Sequence, residues 1–96
     1  MLSLNDIKAI LDANKQILFG KYSLKSLAIF GSYSRNEYNE KSDIDILAEF
    51  IAPVGIELID LGDELESLLQ QKIDIVTKNG IKQRYFKYIE KDLIYV

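Results

Sequence analysis

Cysteine and histidine are both absent from this chain. Without cysteine there is no disulfide framework and no thiolate metal site; without histidine the common zinc ligand and the usual neutral-pH base are missing as well. Any metal must therefore be held by oxygen. That selects hard cations such as magnesium, manganese or calcium, and leaves carboxylates as the general bases near neutral pH. Long apolar runs are lacking too: a stretch such as Leu27 to Phe30 falls far short of the roughly 18 residues of a membrane span. Met1 to Ile10 does not combine a basic start, an apolar run and a small-residue cleavage site, so the expectation is a cytoplasmic protein without membrane association. Excess basic charge is also missing. The formal net charge of −3 argues against broad binding of a nucleic-acid polymer, which depends on clustered Lys and Arg displacing counterions.

What is present suffices for one small core: 96 residues, 48% of them hydrophobic, fit a single domain over residues 1–96 and leave no room for two. Ser3 followed by Asp6 is a capping signature, and Leu4, Ile7, Leu11, Asn14 and Leu18 recur at helical spacing. The first helix is predicted from about residue 4 to about residue 18, with Gly20 as its stop. Leu27-Ala28-Ile29-Phe30 reads as a buried strand closed by a tight turn at Gly31-Ser32, and the polar segment Ser34 to Lys41 as a short helix or turn outside the core. A second strand is predicted over Asp43 to Phe50 and a third over Lys72 to Thr77. Between them Leu58, Leu61, Leu65, Leu68 and Leu69 mark an amphipathic helix over about residues 56 to 70, with Gly62 as a weak point. A last helix over Ile81 to Lys91 precedes a short apolar end at Leu93 to Val96. Helices alternating with strands give an α/β or α+β domain, a small mixed β-sheet flanked by helices, with the strand order left open.

The chemistry concentrates in Gly31-Ser32-Tyr33-Ser34-Arg35 and Ser42-Asp43-Ile44-Asp45-Ile46-Leu47. Residues i and i+2 of a strand share a face, so Asp43 and Asp45 present two carboxylates side by side while Ile44 and Ile46 enter the core. Two such anions repel each other unless one is protonated or a cation sits between them. The plainer alternative is that Asp43 begins the strand and Asp45 faces solvent. A Gly-Ser turn closing an apolar strand offers backbone N–H groups and a hydroxyl suited to phosphate oxygens, although alone it is also an ordinary turn. A third acid, Asp74, lies between Ile73 and Ile75 in a segment that otherwise looks buried. There it needs a partner such as Lys72 or Lys78, a metal, or a place at a sheet edge near water.

Together with the Gly62-Asp-Glu-Leu-Glu-Ser-Leu-Leu69 helix and Lys72-Ile-Asp-Ile-Val-Thr77, these segments closely resemble the minimal nucleotidyltransferase (MNT) family of the DNA polymerase beta superfamily. The resemblance spans nearly the whole chain and implies the polymerase beta-like nucleotidyltransferase fold. It further implies that Asp43, Asp45 and Asp74 are catalytic carboxylates holding magnesium, two ions in all, with Asp74 able to help activate an incoming hydroxyl. Gly31 and Ser32 match the turn that holds the β- and γ-phosphates of ATP, Arg35 matches a basic residue after it, and Ser42 opens the acidic motif and joins the nucleotide-binding set. Three converging aspartates and a triphosphate of about −4 would call for roughly the +4 of two magnesium ions. One departure is visible: many relatives have glycine after this arginine, and here Asn36 stands there.

The resemblance implies in-line attack of a hydroxyl on the α-phosphate, with AMP transferred and pyrophosphate leaving. Larger relatives carry a separate domain that grips the acceptor, and nothing in this chain is long enough to be one. Minimal domains of this kind resemble antitoxins paired with a HEPN-type ribonuclease toxin whose tyrosine receives AMP. The segment carrying Lys82, Arg84, Tyr85, Phe86, Lys87 and Tyr88 has the mixed aromatic and basic character of an interface, against the alternative that its aromatics pack on the chain's own sheet. Two other functions compete: an antitoxin that masks its toxin without catalysis, and nucleotidyl transfer to a small molecule.

Overall fold

The first helix is set by its cap. In the computed structural model, which describes residues 2–96, the Ser3 hydroxyl accepts from the Asp6 amide at 3.0 Å and the Asp6 carboxylate accepts from the Ser3 amide at 3.0 Å. This reciprocal box satisfies two donors that the first turn leaves without partners. Helix α1 (Leu4–Tyr22) then runs through Gly20, where a stop was expected, and ends at Ser23 in a left-handed conformation. A helical glycine costs only about 1 kcal/mol, and Tyr22 holds the last turn in place. Its ring is buried and its hydroxyl donates to Glu64 at 2.6 Å.

Strands β1 (Leu24–Phe30), β2 (Ile44–Phe50), β3 (Ile73–Thr77) and β4 (Ile94–Tyr95) form one sheet of order β3-β2-β1-β4. β1 is antiparallel to both β2 and β4, whereas β2 and β3 are parallel and joined through α3 (Ile56–Leu69), the crossover that parallel neighbours require. The mixed, helix-flanked sheet agrees with the fold class read from the alternation of elements. Each face is defined by the period of two along the strands. Ile44, Ile46 and Ala48 of β2 and Ile73 of β3 meet Ile7, Leu11 and Leu18 of α1 and Leu61, Leu65 and Leu69 of α3 in the main core. On the opposite face Ala28, Phe30 and Leu47 form a smaller cluster with Ile89 of α4 (Gln83–Ile89).

Gly62 is a packing site. It is buried under α3, and a β-carbon there would lie 3.3 Å from Ile75 Cγ2, so the bare backbone lets the helix lie close over β3. The last helix is shorter than the span from Ile81 to Lys91 because Lys82 is extended and Glu90–Asp92 tighten into a 3-10 turn. Among the described residues no helix is long and apolar enough to cross a membrane.

A helical turn, α2 (Gly31–Ser34), follows β1 directly and so precedes the segment in which a short helix was expected. Its anchor is Tyr33, which the sequence presents as a turn residue but which is fully buried. The ring stacks on Tyr38 at 4.2 Å and 8°. Its hydroxyl accepts from Gln71 Nε2 at 3.0 Å and donates to the Leu2 carbonyl at 3.4 Å. Tyr38 is thereby drawn against the core, so the polar segment is less peripheral than its composition suggests. Removing the ring should release the segment: Tyr33→Ala is expected to cost about 3–5 kcal/mol and Tyr33→Phe about 1 kcal/mol, as measured by urea unfolding. Equal losses in the two variants would show that the hydroxyl, and not the stacked ring, is the anchor.

Candidate active site

Strand register builds the centre of the site. Phe30 of β1 faces Asp45 of β2, which faces Asp74 of β3, so the three side chains form one lateral row on the α4 side of the sheet. Asp43 stands just before β2, two residues from Asp45 and therefore toward the same face. At the end of β1, Gly31 turns the chain with a φ of +72°. A β-carbon there would also meet the Asp45 carboxylate, 2.9 Å from its Cγ. Only glycine satisfies both demands, and it brings the backbone of the Gly31-Ser32 turn against the acid.

The electrostatics follow from this placement. Asp45 lies on an interior strand between the buried ring of Phe30 and the carboxylate of Asp74. Its carboxyl is pushed up to about 6, first by burial, then by the charges of Asp74 and Asp43, with partial relief from Arg35. Asp74 differs from the sequence expectation. It lies on β3, an edge strand, and is exposed. The sheet edge near water, one of the alternatives read from the sequence, is where it stands. Its candidate lysine partners are engaged elsewhere: Lys72 lies 3.9 Å from Asp43 and Lys78 lies 3.8 Å from Glu49.

Asp45 and Asp74 line a cleft of about 740 Å³ with Gly31, Ser32 and Arg35, to which Lys82, the cap of α4, and Arg84, Tyr85 and Tyr88 of α4 also contribute, whereas Asp43 does not line it. That volume lies within the usual range for a small-molecule site. Arg35 lies 3.5 Å from Glu37 and, through Nη1, 3.9 Å from Asp92 beyond α4. Ser42 does not line this cleft; its hydroxyl accepts from the Asn39 amide at 2.9 Å and shapes the turn before Asp43. Asn36 takes the left-handed conformation with a φ of 58°, the backbone that glycine would supply at that position. The α4 segment divides its roles. Phe86 and Ile89 pack on the sheet, whereas Tyr85 and Tyr88 are exposed at the cleft. The role of Lys82 and Arg84 as part of the cleft wall was not legible from spacing, because it depends on how the helix folds back.

The donor set fits a hard cation because it is made of carboxylate oxygen alone. Among the described residues no group of three acids is already gathered into a cage.

Comparisons with known proteins show the family. The nucleotidyltransferase domain family matches residues 7–96. A Methanocaldococcus jannaschii protein, provisionally named a protein adenylyltransferase, is 53% identical over 98 residues, covering 100% of both chains. The protein adenylyltransferase MntA of Thermococcus cleftensis is 37% identical over 97 residues, covering 100% of this chain and 98% of its own. Among solved structures, a chain provisionally described as a minimal nucleotidyltransferase superposes with a TM-score of 0.83 at 26% identity, covering 97% of this chain and 95% of that one. A structure of a tri-AMPylated Shewanella oneidensis HEPN toxin in complex with MNT antitoxin gives a TM-score of 0.64 at 25% identity over 88% of this chain and 68% of that one.

The raised Asp45 carboxyl carries a stability consequence. Its folded value of about 6 exceeds the ordinary 3.8 of an aspartate, so its contribution favours the fold at low pH and is lost as pH rises through about 6. In chelator, Asp45→Asn is therefore expected to be more stable than the parent chain at pH 7 by about 1–2 kcal/mol, after discounting for partial exposure. The difference should vanish below about pH 4. Urea titrations at the two pH values measure it, and a less stable variant at pH 7 would contradict the charge crowding.

Proposed function

The chain belongs to the nucleotidyltransferase domain family, and from that premise we propose that it transfers AMP from ATP to a tyrosine hydroxyl of a HEPN-type ribonuclease toxin, acting as its antitoxin. The observation that carries the chemical half is the in-register pair Asp45 and Asp74 in a cleft also lined by Arg35, Lys82 and Arg84. Acids and cations lining one cavity suit a metal-bound triphosphate. The acceptor half is supported by the MntA relative and by the solved complex of an MNT antitoxin with an AMPylated HEPN toxin.

In this reading Asp43, Asp45 and Asp74 hold magnesium, which neutralises charge on the phosphates when bound. The Gly31-Ser32 turn presents its amides and the Ser32 hydroxyl to the β- and γ-phosphates, where glycine allows the close approach. Arg35 reaches the same phosphates once drawn from Glu37 and Asp92, and Ser42 supports Asp43 through the turn that it closes. Asp74, exposed at the sheet edge, receives the proton of the attacking phenol. The phenol oxygen bonds to the α-phosphorus as pyrophosphate leaves in line, so the protein's main work is positioning. The setting in which the toxin is made, the cytoplasm, is where the pair would meet.

The test uses the chain co-purified with its toxin, magnesium and ATP labelled in the α-phosphate. Label is expected on a toxin tyrosine, and Asp43→Asn with Asp45→Asn should lower its rate roughly 1000-fold, the scale of a lost metal contribution of several kcal/mol. Full neutralisation of the toxin by this double variant, with no label transferred, would replace catalysis with masking.

A further inference from the structure

Transfer of the kind proposed above places an electrophilic phosphate in a cleft that the chain itself lines with phenols. Six tyrosines are present, and the fold sorts them. Tyr22 and Tyr33 are buried, their hydroxyls donated to Glu64 and to the Leu2 carbonyl. Tyr38 lies flat on Tyr33, and its hydroxyl accepts from the Leu4 amide at 3.4 Å. Tyr95 is 57% exposed but borders a separate hollow with Lys8 and Asp12. Tyr85 and Tyr88 alone combine exposure, at 52% and 71%, with a place in the cleft that holds Asp45 and Asp74.

The same helix brings cations. Lys82 and Arg84 line the cleft beside these tyrosines, and neither forms an ion pair among the described residues. In a chain of net charge −3 two cations without ion pairs, lining one cavity together with Asp45 and Asp74, favour a polyanion bound among them with its metal. A triphosphate seated on the Gly31-Ser32 turn would share this cavity with the side chains of Tyr85 and Tyr88. Reactions between groups held together in one site gain most from proximity.

We propose that the chain nucleotidylates itself within its own cleft, on Tyr85 or Tyr88. The phenol oxygen forms a bond to the α-phosphorus of the bound nucleoside triphosphate, and the bond from that phosphorus to the bridging oxygen of the leaving diphosphate breaks. Pyrophosphate departs and the phenolic proton passes to a cleft carboxylate, leaving a tyrosine phosphodiester and consuming no oxidant or further reactant. The attached nucleotide then occupies the cavity that a second triphosphate would need, so the reaction stops near one adduct per chain. This inference rests on the nucleotidyl transfer proposed above and extends it to a modification site on the enzyme.

The experiment takes the full chain with magnesium and ATP and no partner, follows its intact mass, and maps the adduct by tandem mass spectrometry. One nucleotide on Tyr85 or Tyr88 is expected, with a fractional rate unchanged by tenfold dilution because donor site and acceptor share a chain. Asp43→Asn with Asp45→Asn should abolish it. The double variant Tyr85→Phe and Tyr88→Phe, which keeps both rings and is checked for folding by circular dichroism, should lose it as well. An adduct mapped to Tyr95, persistence in the double phenylalanine variant, or a rate that falls with dilution would overturn the proposal. If toxin added to the same tube is labelled while the chain stays unmodified, self-modification fails and transfer to the toxin stands; if neither is labelled, both fail.

Discussion

The lateral row Phe30, Asp45, Asp74 is the constraint on which the rest of the molecule turns. It exists because β2 is antiparallel to β1 and parallel to β3, so three chain segments far apart in sequence present one residue each at the same level. The apolar alternation of β2 locks that level. Ile44, Ile46 and Ala48 enter the core under α1 and α3, while Leu47 enters the smaller cluster under α4. A slip of one residue would carry Asp45 into the main core and the isoleucines out of it. The pattern that specifies the core thus also specifies where the acids stand.

That arrangement is costly in the absence of a counter-charge. Asp45 is half-buried beside an aromatic ring with Asp43 just before its own strand and Asp74 on the next, and burial first, then these charges, raise its carboxyl. Most surfaces of a small domain avoid such crowding. Here it coincides with a glycine that no other residue can replace and with a cavity that cations also line. Departure from the otherwise consistent pattern of core, caps and surface charge is where function is expected to lie. Asp74 is exposed at the sheet edge, the access that the proton transfer proposed for it would need.

Much of this was legible in the sequence because it rests on local periodicity. The capped first helix, the leucine-rich α3, the paired aspartates of β2 and the glycine turn before them all follow from spacing and backbone preference. Three features were not legible, each for a physical reason. Asp74 looked buried because Ile73 and Ile75 flank it, and only the strand order shows that β3 is an edge. Tyr33 stands between the glycine turn and a polar segment with no apolar period to mark it, and its burial depends on Tyr38 and Gln71, which close on it. The cationic wall formed by Lys82 and Arg84 depends on α4 returning over the sheet, a tertiary event that no helical period encodes.

The one visible departure from the family pattern is resolved by conformation. The resemblance leads to an expectation of glycine after the arginine, and Asn36 takes a positive φ of 58° there, a conformation that glycine adopts freely. Asparagine tolerates that region better than most residues, since its short polar side chain can bond locally. The backbone around it closes normally: the Arg35 amide donates to the Gly31 carbonyl at 3.2 Å and the Glu37 amide to the Ser32 carbonyl at 2.9 Å. Those bonds keep Ser32 and Arg35 on the cleft side of the loop. A change of residue at position 36 has therefore left the loop's path intact, and the requirement that survives is the backbone angle.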